Sequence, residues 1–211
     1  VQNANEENAG SCPSDPVLVL QAMGRKIGYI PAAARLADPH REMPLLIYMT
    51  ESGLTLPEIA EDINNLLVRR GRAVVVVSEG LDVGGIGELK DSFGHTQFSA
   101  SQMTVSQIVV NYLNANGLKA RGSARGQVPG TDQRGNINTA SVADLDEAYI
   151  LGQKAVEIAV RSGGGYMSTV LREDVPYYSV RYDKVPLGLV ANSERSFPAA
   201  WLNEARNDVT D

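Results

Sequence analysis

Apolar residues fall in short separate runs along this chain. Val17-Leu-Val-Leu20, Pro44-Leu-Leu-Ile-Tyr-Met49 and Ala73-Val-Val-Val-Val77 are nearly continuous and do not alternate with polar residues. Runs of this length and content predict strands covered on both faces. The stretches between them have helical spacing. Thr55-Leu-Pro-Glu58 has the form of a capping box, Ile59, Ile63, Leu66 and Leu67 then recur at helical period, and Arg69-Arg70-Gly71 supplies cations and a glycine stop. A second helix is predicted through Val105, Ile108, Val109, Tyr112 and Leu113, ending at Asn116-Gly117. The small-residue stretch Ile30 to Ala37 also reads as helical. Strand and helix in alternation predict an α/β domain on a mainly parallel sheet.

Outside those elements the pattern weakens. Residues 1–15 are rich in Asn, Glu, Ser and Pro, and a flexible leader is expected there. Residues 80–100 are glycine-rich and polar and read as a mobile surface loop with His95 inside it. No Gly-x-x-x-x-Gly-Lys-Ser/Thr phosphate loop occurs anywhere. With His40 the only other histidine and no Cys/His spacing, nothing points to a zinc site. Lys119 to Arg125 is expected to be extended, and Gly135 to Thr139 to be a polar linker. A helix follows over 142–161, whose Asp144, Asp146 and Glu147 suit capping and the helix dipole. A turn at Gly163-Gly-Gly165 separates it from two strands, 166–171 and 177–182, expected as a hairpin. A short final helix is expected over 197–205.

Composition narrows the class. The 211 residues are 43% hydrophobic and 21% charged, ordinary for a globular protein of one domain or slightly more. A net charge of −6 argues against general nucleic-acid binding. The single cysteine, Cys12, excludes an internal disulfide and fits a reducing, cytoplasmic setting. The first residues lack the apolar core of a signal peptide, and the longest strongly apolar run, Ala73 to Val77, is far short of a membrane span. No membrane partner is therefore expected. The sequence opens on Val1 rather than methionine, which fits a piece of a longer protein.

Candidate chemistry concentrates at strand ends, where open parallel sheets bind ligands. The first strand leads into Met23-Gly24-Arg25 and Gly28-Tyr29, a glycine turn before a helix, which can aim backbone N–H groups at an anion. Gly24 would allow close approach and Arg25 would add a planar charged fork. An ordinary turn with a surface arginine has the same pattern. The third strand leads into Ser78-Glu79-Gly80, so Glu79 shares an edge with Arg25. That carboxylate can accept from sugar hydroxyls or be a solvated loop residue. The stretch 119–134 carries Lys119, Arg121, Arg125 and Arg134 against the single acid Asp132, a local basic patch suited to a small anion. Lys119 and Arg121 fit an exposed basic turn equally well.

Taken in order, these motifs resemble the 6-phosphofructokinases. Met23-Gly24-Arg25, Val77-Ser-Glu-Gly80, Arg125, and Pro129-Gly-Thr-Asp-Gln-Arg134 carry the resemblance. Asp146-Glu-Ala-Tyr149, Pro186-Leu-Gly-Leu-Val-Ala191, Arg195 and Phe197-Pro198 extend it, so that it runs from Val17 to Leu202. It implies a three-layer α/β fold with a mainly parallel sheet, part of a two-domain enzyme. Residues 16–134 would form the fructose 6-phosphate domain. Residues 135–211 would be a helix and strands packing on the donor half.

The resemblance also implies roles. Met23, Gly24 and Arg25 match the triplet that contacts fructose 6-phosphate, with Arg25 also near the transferring phosphoryl group and so catalytic. Glu79 matches the glutamate that binds sugar hydroxyls. Arg125 and Arg134 match arginines on the 6-phosphate, one of them serving a site across a subunit interface, which implies a homo-oligomer.

There are two departures from the family pattern. Thr131 stands where the family has histidine or tyrosine. The Gly-Gly-Asp turn and Thr-x-Asp-x-Asp segment of the donor half are absent, so the Mg²⁺ that the family uses would find its ligands outside this chain. The wording of 129–134 and an insertion around Asp38 to Met43 resemble the pyrophosphate-dependent branch. An ATP-dependent enzyme and a non-catalytic sugar-phosphate-binding subunit are the alternatives.

Overall fold

The computed structural model describes residues 1–84 and 103–210. Most of the glycine-rich stretch 80–100, His95 included, lies outside the described residues. The chain divides into two compact units, one of residues 1–134 with 195–211 and the other of residues 135–194.

The first unit is built on a four-stranded sheet. Its strands are β1 (Val17–Ala22), β2 (Leu45–Tyr48), β3 (Ala73–Ser78) and β4 (Ala124–Gln127). Their order is β2-β3-β1-β4, and every pairing is parallel. Val17 lies opposite Ala73 and Ala22 opposite Ser78, so β1 and β3 end level with each other. The helices are α1 (Gln2–Ser11), α2 (Tyr29–Ala32), α3 (Leu56–Arg70), α4 (Val105–Asn116) and α5 (Thr131–Gly135), with a 3-10 turn at Ala33–Ala37.

The continuous apolar runs are explained by cover on both faces. Val17, Val19, Tyr48, Val75 and Val77 pack with Ile59 and Ile63 of α3 and with Val109 and Leu113 of α4. Leu18, Leu20, Ile47, Val74 and Val76 face the other way, onto Ala4 of α1, Ala34 and Phe197. This is the expected three-layer arrangement, and each such buried side chain contributes about 1.5–3 kcal/mol relative to exposure. The capping box of α3 is present: Thr55 donates to Glu58 Oε2 from its backbone N–H (2.8 Å) and its hydroxyl (2.7 Å). Those bonds hold the Glu58 carboxyl below its usual range. Gly71 ends the helix in the left-handed region, at φ 74°.

Two segments differ from their sequence-based reading. The expected flexible leader contains α1, in which Ala4, Asn5 and Asn8 are buried. The Oδ1 atoms of Asn5 and Asn8 both accept from Arg72 Nη1, at 2.8 and 3.1 Å, so polar side chains rather than an apolar face hold this helix. The expected final helix over 197–205 is a 3-10 turn, Ala199–Trp201, followed by a bend that Asn203 organises. Its Oδ1 accepts from the N–H groups of Asn207 and Asp208, at 3.0 and 3.2 Å.

That tail belongs to the first unit, contrary to the expected boundary of 135–211. It covers the free edge of β2, where Ile47 N–H donates to Asn207 O at 2.8 Å. It also supplies Asp208 to a buried ion cluster. Asp208 accepts from Arg35 Nη2 at 2.6 Å and from Arg41 Nη1 at 2.5 Å, and Arg35 Nη1 also reaches Asp38 at 2.8 Å.

The second unit comprises α6 (Val142–Ser162), the antiparallel hairpin of β5 (Tyr166–Arg172) and β6 (Val180–Pro186), and the single turn α7 (Leu187–Val190). Ile158 is its buried hydrophobic residue. Val142, Tyr149, Val156 and Val160 of α6 are 66–81% exposed.

Candidate functional site

Because all four strands are parallel, their carboxyl ends meet on one edge of the first unit. β1 delivers Met23-Gly24-Arg25 there, β3 delivers Glu79-Gly80, β2 delivers Thr50 and Glu51, and β4 leads into α5.

The Met23-Gly24-Arg25 turn is tied down by its neighbours. Gly24 has φ 146° and Arg25 φ 56°, the second a left-handed conformation that costs a non-glycine residue about 1 kcal/mol or more. Glu79 Oε1 accepts from Gly24 N–H at 3.0 Å and from Arg25 N–H at 2.8 Å. Ser78 Oγ donates to Arg25 O at 3.2 Å and accepts from Thr50 Oγ1 at 3.2 Å. Gly80 is required by close approach, since a Cβ there would lie 2.2 Å from Arg25 O. The strained arginine is thus gripped at both its N–H and its carbonyl.

This changes how the turn can act. The sequence suggested backbone donors aimed at a bound anion, but the protein's own carboxylates occupy them. Glu79 takes Gly24 and Arg25, while Glu51 Oε1 takes Gly28 N–H at 3.2 Å and Phe197 N–H at 2.8 Å. What the turn presents is the Arg25 side chain, exposed and without a hydrogen bond or ion pair among the described residues. Glu79 is 6% exposed, and its Oε2 makes no hydrogen bond among the described residues.

The basic stretch divides. Arg134 and Thr131 are exposed on α5, on the same edge as the Met23 turn. Gln133, between them, reaches the turn directly. Its Oε1 accepts from Met23 N–H at 2.8 Å and its Nε2 donates to Met23 O at 3.4 Å. Arg125 is not brought to this group. It pairs in register with Leu18, four residues before Ala22 and so about 13 Å back along the strand. There it forms an ion pair with Glu7 and a longer one, 3.9 Å, with Asp15. Lys119 and Arg121 are exposed, and Lys119 N–H caps onto Asn64 Oδ1 at 2.6 Å.

Three contributors went unassigned from sequence: Gln133, Ser78 and Glu51. Gln133 lay inside a quoted motif, but only the register of β4 against β1 shows which backbone groups it meets. Among the described residues no group of three or more His, Cys, Asp or Glu could hold a metal ion, so the donor set here does not fit Mg²⁺. No helix among them is long and apolar enough to cross a membrane.

A parallel α/β sheet therefore carries, at its carboxyl edge, a gripped glycine turn and an arginine with no hydrogen bond or ion pair among the described residues. The chain belongs to the phosphofructokinase family, whose model matches residues 3–159. It is similar to pyrophosphate–fructose 6-phosphate 1-phosphotransferases from Rhodospirillum rubrum (31% identical over 198 residues, 89% of this chain and 48% of the relative) and Halomonas elongata (29% over 204 residues, 94% and 47%). A crystal structure of a pyrophosphate-dependent phosphofructokinase from Nitrosospira multiformis matches with a TM-score of 0.77 at 30% identity, over 99% of this chain and 49% of that one. The chain spans about half the length of the curated relatives it matches.

Proposed function

We propose that this chain carries the sugar-phosphate site of an enzyme that phosphorylates fructose 6-phosphate to fructose 1,6-bisphosphate, a glycolytic step, with pyrophosphate as donor. The observation that carries the reading is the convergence of Arg25, Glu79 and Arg134 on one strand edge in the order the family resemblance requires. The activities for which the relatives from Rhodospirillum and Halomonas are named favour pyrophosphate over ATP. In the reaction, the sugar C1 oxygen attacks the terminal phosphorus of pyrophosphate. A new P–O bond forms, the bridging P–O bond breaks, inorganic phosphate leaves, and the hydroxyl proton passes to a base in the donor half.

Each residue has a task in this scheme. The Arg25 guanidinium, without a hydrogen bond or ion pair among the described residues, stabilises charge on the phosphoryl group in transit. Glu79 spends one oxygen on the turn and offers Oε2 to a sugar hydroxyl. Met23 and Gly24 shape the turn. Arg134 holds the 6-phosphate. Mg²⁺, which neutralises donor phosphate charge in phosphoryl transfer, is assigned to ligands in the donor half. The exposed apolar side of α6 packs on that half. A cytoplasmic setting is supported by the free thiol of Cys12.

Titration calorimetry tests the site. Arg134→Ala is expected to weaken fructose 6-phosphate binding by about 1.5–3 kcal/mol, roughly 10- to 150-fold, as for a charge-assisted contact. Arg69→Ala, exposed at the end of α3, is expected to bind as wild type does. Equal affinity in all three proteins would remove Arg134 from the site.

Arg125 supports an oligomer. Its register sets it away from its own protomer's Arg25, so it suits the role of the arginine that reaches across an interface to another site. Light scattering of the complete enzyme is expected to give a dimer or larger. A fully active monomer across a wide concentration range would contradict this.

A further inference from the structure

Backbone pairing between β4 and β1 ends at Leu20 opposite Gln127. Beyond it β4 turns away through Pro129, which has no N–H, and Gly130, at φ 56°. The chain then closes α5, with Asp132 N–H on Pro129 O and Gln133 N–H on Gly130 O, at 3.1 and 3.2 Å. On this side of β1, Met23 therefore has no strand partner. The Gln133 side chain takes that place, accepting from Met23 N–H and donating to Met23 O as a neighbouring peptide would.

The residue type follows from the two bonds. A primary amide offers a donor and an acceptor side by side on two atoms, as a peptide group does; a carboxylate accepts only, and lysine or arginine donate only. Asparagine is one methylene shorter. Two segments far apart in sequence are thereby joined at one peptide group, two residues before Arg25 and one residue before Arg134. Neither arginine side chain has a hydrogen bond or ion pair among the described residues.

We propose that Gln133 is a positioning residue that fixes the spacing between Arg25 and Arg134. The edge then selects ligands long enough to engage both arginines, with a phosphate at one end and the reacting hydroxyl at the other. This rests on the function proposed above. A ligand that spans the two arginines feels the clamp, whereas inorganic phosphate, which one arginine can hold, does not. A general loss of structure would weaken both ligands alike.

Two measurements on Gln133→Met decide it, a substitution of similar length at an exposed position. In hydrogen exchange, the Met23 amide is expected to exchange at least about tenfold faster than in wild type, the loss of one ordinary hydrogen bond, while Val19 in mid-strand is unchanged. In calorimetry, fructose 6-phosphate is expected to bind about tenfold more weakly, with inorganic phosphate affinity unaltered. Unchanged exchange at Met23 overturns the positioning role. Equal weakening of both ligands, or of neither, overturns the selection of spanning ligands. A wild-type chain that binds neither ligand overturns the function proposed above, and the exchange rate then still decides the positioning role.

Discussion

In a coupled assay for fructose 1,6-bisphosphate, the purified 211-residue chain is expected to give no turnover above background with either pyrophosphate or ATP. Phosphoryl transfer needs a cradle for the donor phosphates and carboxylates aimed at a metal. The role proposed for the described strand ends is to bind the acceptor, and no carboxylate cluster among the described residues can hold a cation. Of the nearby carboxylates, Asp144 lies in the first turn of α6, where it complements the helix dipole, and Glu147 accepts from Tyr178 OH at 2.5 Å. Adding a donor half that restores activity is expected to make Arg25→Ala about 10²- to 10³-fold slower than wild type, the usual effect of removing one transition-state donor. Turnover by the chain alone, abolished by Arg25→Ala, would place the donor site within these residues.

Asp208→Ala is expected to be the most destabilising single substitution outside the apolar core, by about 3–5 kcal/mol. Asp208 is 8% exposed and receives Arg35 through both Nε (3.1 Å) and Nη2 (2.6 Å), besides Arg41. Its removal leaves Arg35, itself 8% exposed, with Asp38 and the carbonyl of Leu45 but without its bidentate partner. Thermal unfolding is expected to shift down on the order of 10 °C. Asp183→Ala is the matched control, since Asp183 pairs at the surface with Arg181 and is expected to melt close to wild type. If the two variants melt together, the cluster contributes no more than a surface pair.

The parts that were legible in the sequence are those governed by local periodicity or by topology. The unbroken run Ala73 to Val77 could only be a strand buried on both faces, and Thr55 with Glu58 announced the start of α3. Once β1 and β3 were read as strands of one parallel sheet, Arg25 and Glu79 had to share an edge. Arg125 depends on register, which the motif order did not supply: in β4 it lies level with Leu18 rather than with Ala22. The tail and α1 were illegible for a different reason. Asn5, Asn8 and Asp208 are held by polar contacts to distant residues, and such contacts leave no period in the sequence. The backbone donors of the Met23 turn were misjudged because a carboxylate from another strand fills the place an outside anion would take.

The route of the chain through the first unit bears on how it folds. It leaves that unit at Arg134 and re-enters it at Arg195, after the whole second unit has been made. The bond between Ile47 and Asn207 therefore closes across most of the chain, and the pairing of Arg35 with Asp208 spans even more. Contacts of such long separation form late, because the intervening chain must be ordered or looped first. During synthesis the edge of β2 and the half-built ion cluster stay open until Asn207 and Asp208 leave the ribosome. That interval, more than the finished fold, is when this protein is open to aggregation or to a chaperone.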